Sequence, residues 1–150
     1  MPSAPLRAIL GFVAGAISVA IFHQGILELF HLAGMAPQPW SMQPVPPLGV
    51  PRVLDLCFWG GSYGIFFGLL LPRIRIPLWI AGILLGFVAA SVSWLVVAPL
   101  KGLPLGYGWH PDAVIRSLVI NGGWGLGVGL ILPLMIPAAV SRVRRRMATG

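Results

Sequence analysis

Few side chains in this chain can do chemistry, and most of them fall at one end of its apolar segments. Gln24, Glu28 and His31 stand at i, i+4 and i+7, so they share one helical face, with His23 at its edge. Asp55 and Arg116 occupy the first turn or two of two later apolar segments. An ionisable group at mid-bilayer costs about 2.5–3.5 kcal/mol on insertion scales and is a candidate for function by default. The penalty is smaller here. Arg7 marks one boundary of the first segment and roughly 20 residues span a hydrocarbon core, so Glu28 falls near the opposite interface.

Removing Arg116 from water costs less if it pairs with Asp55 or Glu28. The expectation is one connected polar cluster of Gln24, Glu28, His31, Asp55 and Arg116 at the outer end of a bundle. As structure it is an ion-pair network. As function it is a shallow vestibule for a proton, an ion or a small anion, which two helix N-termini would also favour. Asn121, just before Gly122 and Gly123, is expected to bridge helices by hydrogen bonds worth about 0.6–2 kcal/mol.

Other chemistries find little support. His23, His31 and His110 show no His-x3-His, and the single Cys57 no Cys-x2-Cys, so no metal and no cofactor are expected. His23 and His31 point about 80° apart at the usual helical pitch, which is poor for holding one ion. Only three acidic residues exist and no phosphate loop occurs, so the chain is not expected to be an enzyme. Cys57 reads as a small buried hydrophobe.

The elements that must position these groups are apolar. The chain is 57% hydrophobic and 9% charged, with mean hydropathy +0.92, too greasy for 150 residues to hide in a soluble core. Lipid is therefore the expected solvent. Four stretches reach spanning length: Leu6 to Ala33, Val53 to Leu71, Leu78 to Ala98, and Ala113 to Ile136. Lipid cannot satisfy backbone amides, so all four should be helices. Pro51 and Pro111 open the second and fourth, Pro72 ends the second, and the fourth should continue past Pro133 with a kink. Trp40 in one outer loop and Tyr107 and Trp109 in the other suit the membrane interface.

The chain also repeats itself. Leu10-Gly11-Phe12-Val13-Ala14 returns as Leu85-Gly86-Phe87-Val88-Ala89, and Gly60-Gly61 through Leu71-Pro72 returns as Gly122-Gly123 through Leu132-Pro133. The expected fold is all-α: an integral membrane four-helix bundle of two tandem helix hairpins. Repeat 1 covers about 6–75, repeat 2 about 76–137, and a basic tail 138–150, all in one transmembrane domain. An even number of spans per copy makes the repeats parallel, related by a pseudo-twofold along the membrane normal. The internal copy also argues that the first segment is a retained helix and not a cleaved leader.

Small residues recur every fourth position: Gly11 and Gly15; Gly60, Gly64 and Gly68; Gly82 and Gly86; Gly123 and Gly127, with Gly125 and Gly129 alongside. Such stripes let helix backbones approach closely, within the bundle or between protomers. Gly34, in the loop approach, is expected to tolerate substitution.

The net charge of +7 sits at segment ends, with Arg142, Arg144, Arg145 and Arg146 clustered in the tail. No aromatic–basic interleaving accompanies it, so nucleic acid is not an expected partner. Arg7, Arg73, Arg75 and the four tail arginines fall on one side, against Arg52, Lys101 and Arg116 on the other. That bias places both termini in the cytoplasm, as in a bacterial-type inner membrane. The function expected is a non-enzymatic accessory or homo-oligomeric membrane protein that works through helix contacts. A small-solute or ion permease using the outer vestibule is the alternative.

Overall fold

The computed structural model describes the backbone of residues 1–148 and the side chains of residues 1–136. The side chains of Arg142, Arg144, Arg145 and Arg146, with the anchoring role expected of the tail, lie outside the described residues. Among the described residues four helices are long and apolar enough to cross a membrane: α1 (Ala4–Leu32), α2 (Arg52–Arg73), α3 (Leu78–Leu100) and α4, whose apolar part is Pro111–Ile136. Helix α4 runs from Pro111 to Ala148 without interruption, so Pro133 does not end it. The last turn of α2, Leu71–Arg73, tightens to a 3-10 geometry at Pro72. A small addition to the all-helical plan is a two-stranded hairpin, β1 (Pro44–Val45) against β2 (Val50–Pro51), within the loop between α1 and α2.

Two intimate helix pairs form the frame, and glycine explains both. Gly11 and Gly64 face each other so closely that a Cβ on either would lie under 3.0 Å from the other's carbonyl. A Cβ on Gly15 would lie as close to the Gly60 carbonyl, and one on Gly68 to the Arg7 carbonyl, so α1 and α2 touch backbone to backbone for two turns. In the second pair Gly82 meets Gly125, Gly86 meets the Asn121 carbonyl, and Gly129 meets the Leu78 carbonyl. Approach this close brings Cα–H groups against carbonyl oxygens and lengthens the dispersion contact, which is what holds helices together when lipid offers no hydrophobic drive.

The glycines of α4 divide between two neighbours. Successive alternate positions on a helix are separated by about 200° of rotation. Gly125 and Gly129 accordingly serve α3, while Gly127 abuts Ser18 and Phe22 of α1 and Gly123 abuts Ile26. Helix α4 is thus sandwiched between α3 and α1. The seam between the two helix pairs is filled by buried Ala14 and Val19 of α1 and by Trp124, Val128 and Leu132 of α4, with Phe67 and Leu71 of α2 completing the core.

Helices α1 and α3 also end alike. Gly34 has φ +72°, the Gly34 amide donates to the His31 carbonyl at 2.8 Å, and Met35 donates to Phe30 at 2.8 Å. Gly102 repeats this with φ +70°, its amide on Pro99 and that of Leu103 on Ala98, both at 2.9 Å. This double bond around a left-handed glycine is the Schellman motif, and a side chain there is strained whatever the space. Gly34 is therefore not the tolerant position expected of a loop residue.

Candidate functional site

The loop between α1 and α2 and the loop between α3 and α4 both fold back onto the helix that precedes them, and they do so where that helix widens. In α1 the segment Val19–His23 is a π turn, and in α3 so is Ser93–Val97. The widening of α1 sends the Gln24 amide five residues back, to the Val19 carbonyl, and removes the usual donor from Ala20. The Trp40 indole, from the first loop, supplies a replacement, its Nε1 donating to the Ala20 carbonyl at 3.0 Å. The Trp40 amide also donates to Gln24 Oε1 at 2.7 Å. In the second loop Tyr107 OH lies 3.2 Å from Ser93 Oγ, and the Trp109 and Trp94 rings meet edge to face at 5.8 Å.

The second loop carries an unusual backbone. Gly106, Tyr107, Gly108 and Trp109 have φ of 59°, 52°, 85° and 55°, four consecutive left-handed residues. For Tyr107 and Trp109 that conformation costs about 1–2 kcal/mol each. It persists because the two aromatic side chains are tethered to α3. A Cβ on Gly106 would collide with the Trp109 indole, which accounts for glycine there.

Under this turn lies a cavity of about 360 Å³, walled by His23 of α1, Trp94 of α3, Gly106 and Tyr107 of the loop, and Ala113, Arg116, Ser117, Ile120 and Asn121 of α4. Its polar groups are set by their neighbours. The Trp40 amide requires an acceptor, so the Gln24 oxygen faces it and the Gln24 NH2 faces His23 Nδ1 at 3.2 Å. An NH2 only donates, so a neutral His23 accepts on Nδ1 and keeps its proton on Nε2. Asn121 Nδ2 donates to the Ser117 carbonyl at 2.9 Å and to Ser117 Oγ at 3.4 Å. The bridging role expected of Asn121 is thus taken by its backbone carbonyl against Gly86, while its amide stays within α4. Arg116 Nη1 donates to the Met35 carbonyl at 2.6 Å and so ties α4 to the end of α1.

The expected cluster is distributed differently. Gln24 is 1% exposed and acts as the post on which the first loop hangs. His31 is exposed, with Nδ1 3.0 Å from the Ala36 carbonyl. Glu28 and Asp55 are half-buried. Among the described residues no hydrogen bond joins Glu28, His31, Asp55 and Arg116 to one another; backbone carbonyls at the loop ends satisfy Arg116 and His31 instead. Arg116 alone of these four lines the cavity, beside His23, Ser117 and Asn121.

Deeper in the bundle, polar groups bind helix to helix. Ser18 is fully buried and its hydroxyl donates to the Trp124 carbonyl at 2.5 Å. Trp124 Nε1 in turn donates to the Gly15 carbonyl at 3.0 Å, and its ring meets Tyr63 edge to face at 6.1 Å. These two bonds cross the seam in opposite directions. Gly60-Gly61-Ser62-Tyr63-Gly64 matches the Gly-x-Ser-x-Gly pattern of hydrolase nucleophiles, whose serine sits on a sharp strand-to-helix turn. Here it lies within a helix. Ser62 donates to the Phe58 carbonyl of its own helix at 2.8 Å, and Gly60 and Gly64 are the contact points for α1. Neither the π turns nor the left-handed loop leaves a mark in the residue pattern; Trp and Tyr in Gly- and Pro-rich loops are the nearest hint of the latter. The chain matches no protein family, no curated protein and no solved structure.

Proposed function

We propose that this chain is a non-enzymatic, multi-pass membrane protein that works through contacts, as an accessory subunit or a homo-oligomer, in a bacterial-type inner membrane with both termini cytoplasmic. The observation that carries this reading is the filled middle of the bundle. Ala14, Val19, Trp124, Val128 and Leu132 occupy the seam, and among the described residues no buried side-chain nitrogen or oxygen lacks a hydrogen-bond partner. A seam filled by carbon and by hydrogen-bonded polar groups supports contact over passage of a solute. Large apolar side chains of α2 are left for lipid or protein neighbours, Phe58, Trp59 and Phe66 each more than half exposed.

The glycine stripes do not serve that contact, because approaches inside the bundle, within the two helix pairs and between α4 and α1, occupy them. A partner would meet larger side chains. The contacts also support tandem repeats: Gly11 on Gly64 corresponds to Gly82 on Gly125, and Gly15 on Gly60 to Gly86 on Asn121. This register is one helical turn away from the match by residue identity, Gly11 with Gly86. The Schellman ends and the π turns of α1 and α3 add to it. Parallel copies then follow from two spans in each.

The permease alternative draws on the outer cavity alone, and the two hydrogen bonds of buried Trp124 belong to the filled seam instead. Reconstitution into nanodiscs at limiting protein, with subunits counted by single-molecule photobleaching, tests the contact reading for the homo-oligomer; co-purification in mild detergent tests it for a partner. A strict monomer without partner refutes it, and ion or solute flux in liposomes would establish the alternative. Reporter fusions at Pro37, Ile74, Leu105 and the C-terminus should alternate out, in, out, in.

A further inference from the structure

The geometry points to the outer cavity as a binding site for a phosphorylated anion, the phosphate being carried by a lipid headgroup or by a small soluble ester. Its volume, about 360 Å³, lies at the lower end of the range of small-molecule pockets, enough for a headgroup. Among the described residues one formal charge lines it, and that charge is positive: Arg116 faces no carboxylate across the cavity. A guanidinium offers five N–H donors, of which the Met35 carbonyl accepts one. The remaining fork matches phosphate oxygens in spacing and direction.

The other polar wall groups are mostly donors. The Ser117 hydroxyl and the Tyr107 hydroxyl can both donate, and neutral His23, with Nδ1 occupied by Gln24, offers Nε2–H. The Asn121 amide nitrogen is already directed at Ser117, leaving its oxygen as the one side-chain amide acceptor of the wall, suited to an ester's hydroxyl group. A cation finds no acid here. Trp94, Ala113 and Ile120 supply an apolar remainder for a glycerol backbone or the top of an acyl chain. The left-handed turn at Gly106–Trp109 forms part of the wall, and strained backbone held by tethered aromatics is a recurrent feature of binding sites.

This site goes beyond the contact reading and is independent of it. A monomer that binds the anion would leave the site standing and remove the contact function. The test uses the full chain in a neutral detergent at fixed ionic strength, with three probes: phosphatidylglycerol, glycerol 3-phosphate, and monoolein as the uncharged lipid. Thermal unfolding and native mass spectrometry read binding. Wild type should bind at least one phosphate-bearing probe about tenfold more tightly than Arg116→Gln does. Lys101→Gln, which removes an exposed loop charge, should bind as wild type does. Ala113→Trp, which fills the cavity and leaves the charge in place, should also lose binding, and it decides the matter if Arg116→Gln does not fold. Binding of phosphatidylglycerol alone identifies a lipid, and binding of glycerol 3-phosphate identifies a soluble ester. Monoolein bound as well as phosphatidylglycerol, no binding of either phosphate probe, or binding equal in wild type, Arg116→Gln and Ala113→Trp overturns the proposal.

Discussion

Adding one methyl group to the α1–α2 crossing should destabilise the protein, although the same change elsewhere in α1 should not. At Gly64 a Cβ would lie 2.8 Å from the Gly11 carbonyl carbon and closer still to its oxygen, with the Gly15 Cα at 3.2 Å. Cα–H contacts to oxygen settle at about 3.3–3.6 Å, so the two helices would have to separate by roughly 1 Å. That separation loosens the facing contacts at Gly15–Gly60 and Arg7–Gly68 together, because two rigid backbones share one crossing. Overpacking of this kind costs about 1–3 kcal/mol. Alanine recovers up to about 1 kcal/mol as a better helix former than glycine, which leaves a net loss of about 1–2 kcal/mol. Gly25, in the same helix as Gly11, has nothing within 4 Å of its would-be Cβ, so Gly25→Ala keeps the helix-forming gain and loses nothing. Denaturation in detergent, followed by far-UV circular dichroism during a titration with SDS, gives both changes on one scale. Opposite signs are expected. If Gly64→Ala and Gly25→Ala shift the midpoint equally and in the same direction, the close crossing does not hold this bundle together.

Ser18→Ala should cost about 1–2 kcal/mol by the same titration, since it leaves the Trp124 carbonyl without its donor across the seam, whereas Ser62→Ala and Ser91→Ala, whose hydroxyls bond to their own helices, should stay within 0.5 kcal/mol or so of wild type. Trp40→Phe removes the donor to the Ala20 carbonyl and should speed limited proteolysis within residues 35–50 severalfold, with helix content unchanged by circular dichroism. Gly34→Ala and Gly102→Ala each place a side chain in left-handed backbone and should cost about 1 kcal/mol; a neutral result would mean that the Schellman ends contribute nothing to holding the loops.

The number and placing of the membrane-length helices were legible in the sequence because their cause is local: runs of apolar residues bounded by Pro51, Pro72, Pro77 and Pro111 leave the backbone no partner but itself. The glycine spacing likewise announced close helix contact. Which glycine meets which was not written there, because Gly123, Gly125, Gly127 and Gly129 offer two faces of one helix, and only the positions of α1 and α3 assign them. The polar residues misled for a related reason. Opposite charges at one depth invite pairing, but the first loop brought the carbonyls of Met35 and Ala36 within reach of Arg116 and His31 first. A loop's path depends on where it is pinned. Here the pins are the Ala20 carbonyl and Ser93, both at π turns that no residue pattern foretold, and they follow from how the helices pack. Composition and spacing therefore determined the medium, the helices and their capacity for close approach. The tertiary structure alone decided the partners, the cavity and the place of Arg116 on its wall, because those depend on side chains distant in sequence meeting at a common place.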